Sequence, residues 1–397
     1  MNMSFLRSNI VGILLILACG FMISCRKVIE NSSQNVIKMN DAVTQTLYMS
    51  DYFESIEYIS LETREECLIG FNPIVYVMDD FIVVFSLREE KCFVFDRLSG
   101  MFIKKIGNKG IGPNDYLEIP YGLIVNEQEK TICFDKGDCI IEYAITDGKV
   151  IHHSTQIQIL ANKLVYITKD IWAAGLLNTT GNNPNQIVFF DRNEIIDSIP
   201  NNNFFTPKNS RLVSVLLDEV FFYRYNHNIY YKHIFNDTIF KIVDRKLQPE
   251  WVFEMNKSLQ KLIVLRNDPD ELHKEGVNYH IIVPIFETDR YLLFNSSYQR
   301  QKHAFIFDKH RKQLTEVEKG NFMNDIDGGL NFWMNSTNQN QDLICVYQAD
   351  FFKEEIDKID LSEQKAKNPL ASQKLRTLLA QLDEEDNPII VIAKLKK

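Results

Sequence analysis

The stretch FIVVFSLREEKCFVFDRLSGMFIKKIGNKGIGPNDY (81–116) decides the fold. It holds three short runs rich in β-branched and aromatic residues, FIVVFS (81–86), KCFVFDR (91–97) and GMFIKKIG (100–107), separated by tight turns. Such runs read as antiparallel strands, and PIVYVMD (73–79) just before them supplies a fourth, inner one. The second of the three ends in Phe95-Asp96-Arg97. An inward aromatic residue there closes a buried face, Asp caps the turn amides with its carboxylate, and the basic residue points into water.

The unit recurs along the chain. Phe190-Asp191-Arg192, Val243-Asp244-Arg245 and Phe307-Asp308-Lys309 repeat the ending, and Tyr143-Ala144-Ile145 holds the place without its acid. Anchors at 96, 144, 191, 244 and 308 are separated by 48, 47, 53 and 64 residues. That spacing suits a four-stranded propeller blade. Inner strands are expected at 121–127, 163–168, 213–225 and 278–286 as well. A sixth unit starts with strands at 328–336 and 342–350, is interrupted by a charged helical stretch, and returns as IIVIAKLK (389–396). It lacks one strand, which SIEYISLE (55–62) can supply. The expected fold class is all-β: a six-bladed β-propeller over 46–397, closed by an N-terminal strand that leaves no unpaired radial edge.

Helical insertions are expected near 256–277 and 351–386. Asp268-Pro269-Asp270-Glu271 has the N-cap, proline and third-position acid of a helix start, and Asn368-Pro369 marks another. Leu375, Leu378, Leu379 and Leu382 then fall on one helix face.

The N-terminus reads as a sorting signal. Arg7 precedes the apolar run IVGILLILACGFMI (10–23), which is short for a bilayer span and ends at Met22-Ile23-Ser24-Cys25. Residues 1–24 are therefore expected to be a lipoprotein signal peptide, with Cys25 lipidated and 25–45 a polar tether. A cell-envelope location follows, anchored in the outer membrane with the facing side left open.

The net charge of −9, with no dense basic block, argues against a nucleic-acid partner. Beyond Cys19 and Cys25, five cysteines remain without a CxxC, so neither a disulfide framework nor a zinc site is signalled. Cys133 and Cys139 flank a turn and are placed to face each other across a hairpin; buried free thiols are the plainer reading.

Gly107-x-x-Gly110-x-Gly112 resembles a phosphate loop only superficially. A phosphate cradle needs its glycines between a strand and a helix. Here they end an outer strand and precede the next inner one, where the chain crosses from rim to axis and glycine permits the path. The crossing still brings Asn114 and Asp115 near a ligand cleft. The aromatic run FFYRYNHNIYY (221–231) offers Tyr223 and Tyr225 on one face and Arg224 on the other, and FWM (332–334) adds Trp333. These are the candidate ligand contacts, by stacking on a sugar or peptide, with blade-to-blade packing as the competing role. The histidines lack tight metal spacing, and NDIDGG (324–329) reads as a turn more readily than as a calcium loop. No cofactor is expected beyond that weak calcium reading.

The lipobox-like start, SIEYISLET (55–63), VFDRLSGMFIKKIGNKGIGPNDY (94–116) and the final DEEDNPIIVIAKLK (383–396) together resemble a family of bacterial lipoproteins that are six-bladed propellers, distantly like NHL-repeat propellers. The likeness runs over nearly the whole chain. In the loop, Asn114 and Asp115 replace the Gly-Glu pair of the family's usual G-x-G-P-G-E-Y. The resemblance implies a fold and a compartment but no settled activity, so no catalytic residue is carried over. The expected role is an envelope-anchored binding or scaffold module for a glycan, peptide or partner protein. The rival is a carbohydrate- or lactone-acting hydrolase or lyase that uses central-face carboxylates, with or without calcium.

Overall fold

Residues 35–116, 123–135, 139–154, 161–208, 218–359 and 366–396 are described by a computed structural model. The expected signal peptide (1–24), Cys25, and parts of two expected inner strands (121–122 and 213–217) lie outside them.

Six separate antiparallel sheets form the six blades. Blade I orders Ile74–Val77, Phe81–Ser86, Lys91–Asp96 and Phe102–Ile106 from the axis outward. Blades II, III, IV and V begin at Leu123–Asn126, Ala161–Thr168, Val220–Tyr225 and Ile281–Glu287 and repeat the same order. Blade VI takes Ser336–Thr337, Leu343–Tyr347 and Ile389–Leu395 from the C-terminal part of the chain. Its outermost strand is Phe53–Ser60, paired antiparallel with the C-terminal strand so that Ile59 faces Ile390. The ring is closed as the sequence predicts.

Alternation explains why the middle strands are continuous apolar runs. In blade I, Val83, Phe85, Cys92 and Val94 face blade II, while Ile82, Val84, Phe93 and Phe95 face blade VI. Each sheet is thus buried on both faces, and period-two side chains serve two cores rather than one core and water. Six such clusters fill the six seams.

Three expectations change. Residues 35–45, assigned to the tether by their polarity, already belong to the disc. Asn35–Lys38 adds an outer strand to blade IV, and Val43–Gln45 pairs in parallel with the outer strand of blade V. Ile37 and Met39 are buried there, which holds the segment down despite its polar composition. The inner strand of blade VI is also shorter than 328–336. A turn at Gly328 (φ 80°) and an isolated Phe322–Phe332 bridge occupy that stretch instead.

The third concerns the recurrent Asp-Arg ending. Asp96, Asp191 and Asp308 do accept from the amides two and three residues on. The Ser99 hydroxyl on Asp96, these amide bonds, and Arg290 beside Asp308 hold the three carboxyls below their usual range, against the desolvation felt by each. Asp244 does not follow, because Asp244 and Arg245 both take positive φ (49° and 59°) in a two-residue hairpin. The basic residues do not simply point into water. Arg97 grips Glu57 of blade VI (2.9 and 3.2 Å), Arg192 approaches Glu142 of blade II (3.5 Å), and Arg245 donates to Asp197 of blade III (3.0 Å). Each guanidinium spans the seam to the preceding blade, a reach that its planar fork and long stem allow.

The insertions carry short helices. Pro269–Gly276 is capped by Asp268, which accepts from the Glu271 amide, and Pro369–Leu379 by Asn368, which accepts from the Ala371 amide. Leu375 and Leu382 enter the seam between blades V and VI. Arg266, wholly buried, anchors the other insertion. It pairs with Glu219 (2.5 and 3.1 Å), donates to the Asn178 carbonyl, and lies over the Phe205 ring.

Candidate functional site

The six candidate contacts fall in four places. Tyr223 is buried in the seam between blades IV and V, where its hydroxyl donates to Glu287 (2.8 Å) and its ring stacks on Tyr230. Lys309 completes that seam by pairing with Glu287 (2.9 Å) and lying over the Tyr225 ring. Tyr225 donates to Asp289 (3.1 Å), which also accepts from Gln341 of blade VI. Trp333 donates to Asn295 (2.8 Å) and stacks on Phe322. For all three aromatic residues the observed contacts are packing and hydrogen bonding within the ring.

Arg224 stands at the axial end of blade IV. Its guanidinium donates to the Tyr166 carbonyl (2.6 Å) and covers the Tyr166 ring at 3.9 Å, which joins blade IV to blade III. Glu127, just past the inner strand of blade II, senses the same guanidinium, the Asp79 carboxylate of blade I and the Gln339 amide of blade VI. Burial pushes its carboxyl up to about 7, and the charge of Asp79 adds to the rise, while Arg224 opposes it. Asp79 in turn accepts from Asn340 of blade VI (3.0 Å). The ends of the inner strands therefore converge as a polar knot, in which Asp79 and Asp289 already have partners. None of Asp79, Glu127 and Gln339 is among the candidate contacts read from the sequence. Their shared position, one to two residues after an inner strand, was the cue available.

Asn114 and Asp115 lie elsewhere, on a polar cleft of 810 Å³ at the crossing from blade I to blade II. The loop behind them is tightly built. Gly107 takes φ +60°, and a Cβ there would sit 2.9 Å from the Tyr143 ring. Tyr143 donates to the Asn114 carbonyl (2.6 Å), Tyr116 to the Glu90 carbonyl (2.8 Å), and the Gly112 amide to Asp115 (3.0 Å). The glycines serve the turn, while its outer surface faces the cleft.

Lys105 and Asn108 on the blade I side, and Tyr143, Lys149, His152 and His153 on the blade II side, form the rest of the polar lining. His153 lies 3.3 Å from the Asn114 side-chain oxygen. Burial, and then the neighbouring Arg192, hold His152 below the ordinary imidazole value. Asp115 is the one carboxylate among the lining residues, and Asp147 pairs with Lys149 from just outside them (3.5 Å), so the lining carries a small excess of positive charge on an acidic chain.

The calcium-like fragment is differently occupied. Asp325 accepts from Ser50 (2.8 and 2.6 Å) and pairs with Lys367, while Asp327 accepts from Asn324 (2.7 Å) and the Gly329 amide (2.9 Å). Among the described residues, no group of three His, Cys, Asp or Glu is arranged to hold a metal ion. Cys67, Cys92, Cys133, Cys139 and Cys345 are free thiols.

Fold and surface together define a six-bladed β-propeller with an axial polar knot and a basic inter-blade cleft. The chain belongs to the family described as "Domain of unknown function (DUF4934)", whose profile it matches over residues 34–394. It is similar to the crystal structure of a Bacteroides fragilis protein described as exported, with a TM-score of 0.70 and 17% identity over 91% of this chain and 99% of that one. A weaker likeness is to the β-propeller domain of Myceliophteria thermophila Cps50 (Swd1), with a TM-score of 0.35 and 12% identity over 63% of this chain and 68% of that one. No curated protein matches the sequence.

Proposed function

We propose that this protein is an exported propeller that works at the cell envelope as a binding or scaffold module, with the cleft between blades I and II as its ligand seat. The observation that carries the reading is the cleft itself: 810 Å³ of open polar surface bearing two lysines and two histidines against one carboxylate. Its volume falls in the range of small-molecule and oligosaccharide sites. The ligand that fits this chemistry is an acidic glycan, with carboxylate or sulfate groups on Lys105 and Lys149 and ring hydroxyls on Asn114 and His153. Anchoring through Cys25 would keep the disc at the membrane.

A glycan array probed with the purified chain tests the reading. Acidic oligosaccharides should be retained, weaken with added salt, and lose about tenfold in affinity in the Lys105→Ala/Lys149→Ala double variant. Retention of neutral glycans alone, or an unchanged double variant, would refute it. Fractionating cells that express Cys25→Ala tests the anchor: the variant should leave the membrane fraction, and its persistence there would rule out lipidation.

One observation favours an enzymatic alternative, the near-neutral Glu127 beside Arg224 and Asp79, which is a poise suited to general acid–base work. If hydrolysis or elimination is found on a carbohydrate or lactone panel, it should vanish in Glu127→Gln. Turnover that survives this substitution would exclude the axial knot as its seat.

A further inference from the structure

A second, smaller cavity of 340 Å³ lies between blades IV and V, walled by three parts of the chain that are far apart in sequence. Met39 and Asn40 come from the turn that carries the N-terminal segment from blade IV to blade V. Met255, Asn256 and Lys257 follow the outer strand of blade IV, and Asn278, Tyr279 and His280 lead into the inner strand of blade V. Tyr298 closes the far side.

The lining has a consistent chemistry. Three carboxamides, Asn40, Asn256 and Asn278, border it, with no carboxylate among the lining residues. Asn40 and Asn256 donate to each other (2.9 and 3.1 Å), an exchange that fixes both amides and leaves each with one N–H and one carbonyl lone pair to offer. A ligand meeting them must both give and accept hydrogen bonds at neighbouring positions, as adjacent hydroxyls do.

Apolar faces complement the amides. The His280 ring stacks on Tyr298 at 4.1 Å, and its Nδ1 is engaged by Ser296 (2.9 Å), so the ring is held in one orientation. Burial holds this imidazole below its ordinary value, which favours its neutral form. Tyr279 offers a second ring, with the Lys257 ammonium 5.2 Å from its centroid. Met39 and Met255 supply adaptable apolar wall.

We propose that this cavity is a binding site for one or two residues of a neutral saccharide. Paired amides take the hydroxyls, and the C–H face of the sugar ring lies against Tyr279. The cavity is at the small end of ligand sites and excludes a long chain. It shares no lining residue with the cleft between blades I and II, so either site stands if the other fails.

Ligand-observed NMR on the purified chain, with methyl glycosides of glucose, galactose, mannose and N-acetylglucosamine, tests it, with glucuronic acid as the charged control. At least one neutral glycoside should show saturation transfer at about 5 mM. Asn278→Ala and Tyr279→Ala, both on the connecting segment, should weaken it tenfold or more while the unfolding temperature stays put. Lys149→Ala should leave it unchanged. A failure of every neutral glycoside to bind, binding that ignores both substitutions, or a preference for glucuronic acid that persists in the Lys105→Ala/Lys149→Ala variant would each overturn the assignment. Should Tyr279→Ala prove unstable, Asn278→Ala alone decides.

Discussion

Gly107 and Glu127 carry the sharpest residue-level consequences. At Gly107 the backbone needs a positive φ, and a methyl group would press on the Tyr143 ring. Gly107→Ala should therefore cost about 2 kcal/mol in urea unfolding, and a neutral result would mean that the crossing loop can relax. Glu127 sets a pH dependence. Its folded carboxyl sits at about 7 against an ordinary 4.5, so the folded chain binds this proton more tightly than the unfolded one. The resulting stabilisation is complete below the unfolded value and is lost as pH climbs to about 7. Relative to the parent, Glu127→Gln should gain stability across that window and level off above it. A pH-independent difference between the two would show that Glu127 is not held in the knot as described.

At the scale of elements, the ties between blades are the feature that composition concealed. Arg97 is 14% exposed and bidentate on Glu57, whose own side chain is 46% exposed. A double-mutant cycle on this pair should yield a coupling of about 1 kcal/mol, and a value near zero would reduce it to a surface contact. Leu375 is fully buried in the seam between blades V and VI, so Leu375→Ala should cost about 3 kcal/mol by denaturant titration. Strands and helix starts were legible because their rules are local: alternation, turn residues, Asp268-Pro269 and Asn368-Pro369. The partners of Arg97, Arg192 and Arg245 were not, because each lies on a neighbouring blade and no local pattern points across a seam. The same holds for the candidate sites. Asn114 and Asp115 were marked by their loop, whereas Lys105 and Lys149 in the cleft, and Glu127 in the axial knot, carry no local signal until the ring assembles each place. The run around Tyr223 was conspicuous for its aromatics, and those aromatics fill a seam.

The whole molecule depends on the pairing of Phe53–Ser60 with Ile389–Leu395. Deleting 389–396 removes a strand whose first five residues are buried from between two partners and should abolish cooperative unfolding; a deletion that still melts as one transition would mean the five remaining sheets hold together as an open arc. The outer strands of residues 35–45 are a lesser attachment, and their removal should lower stability while leaving a folded disc, measurable by circular dichroism.

The placement of that closing pair also orders events in time. One partner is among the earliest parts of the globular region to be synthesised, and the other is nearly the last. Until residues 389–395 emerge, the first blade faces an empty seat and the nascent polypeptide has an unsealed gap.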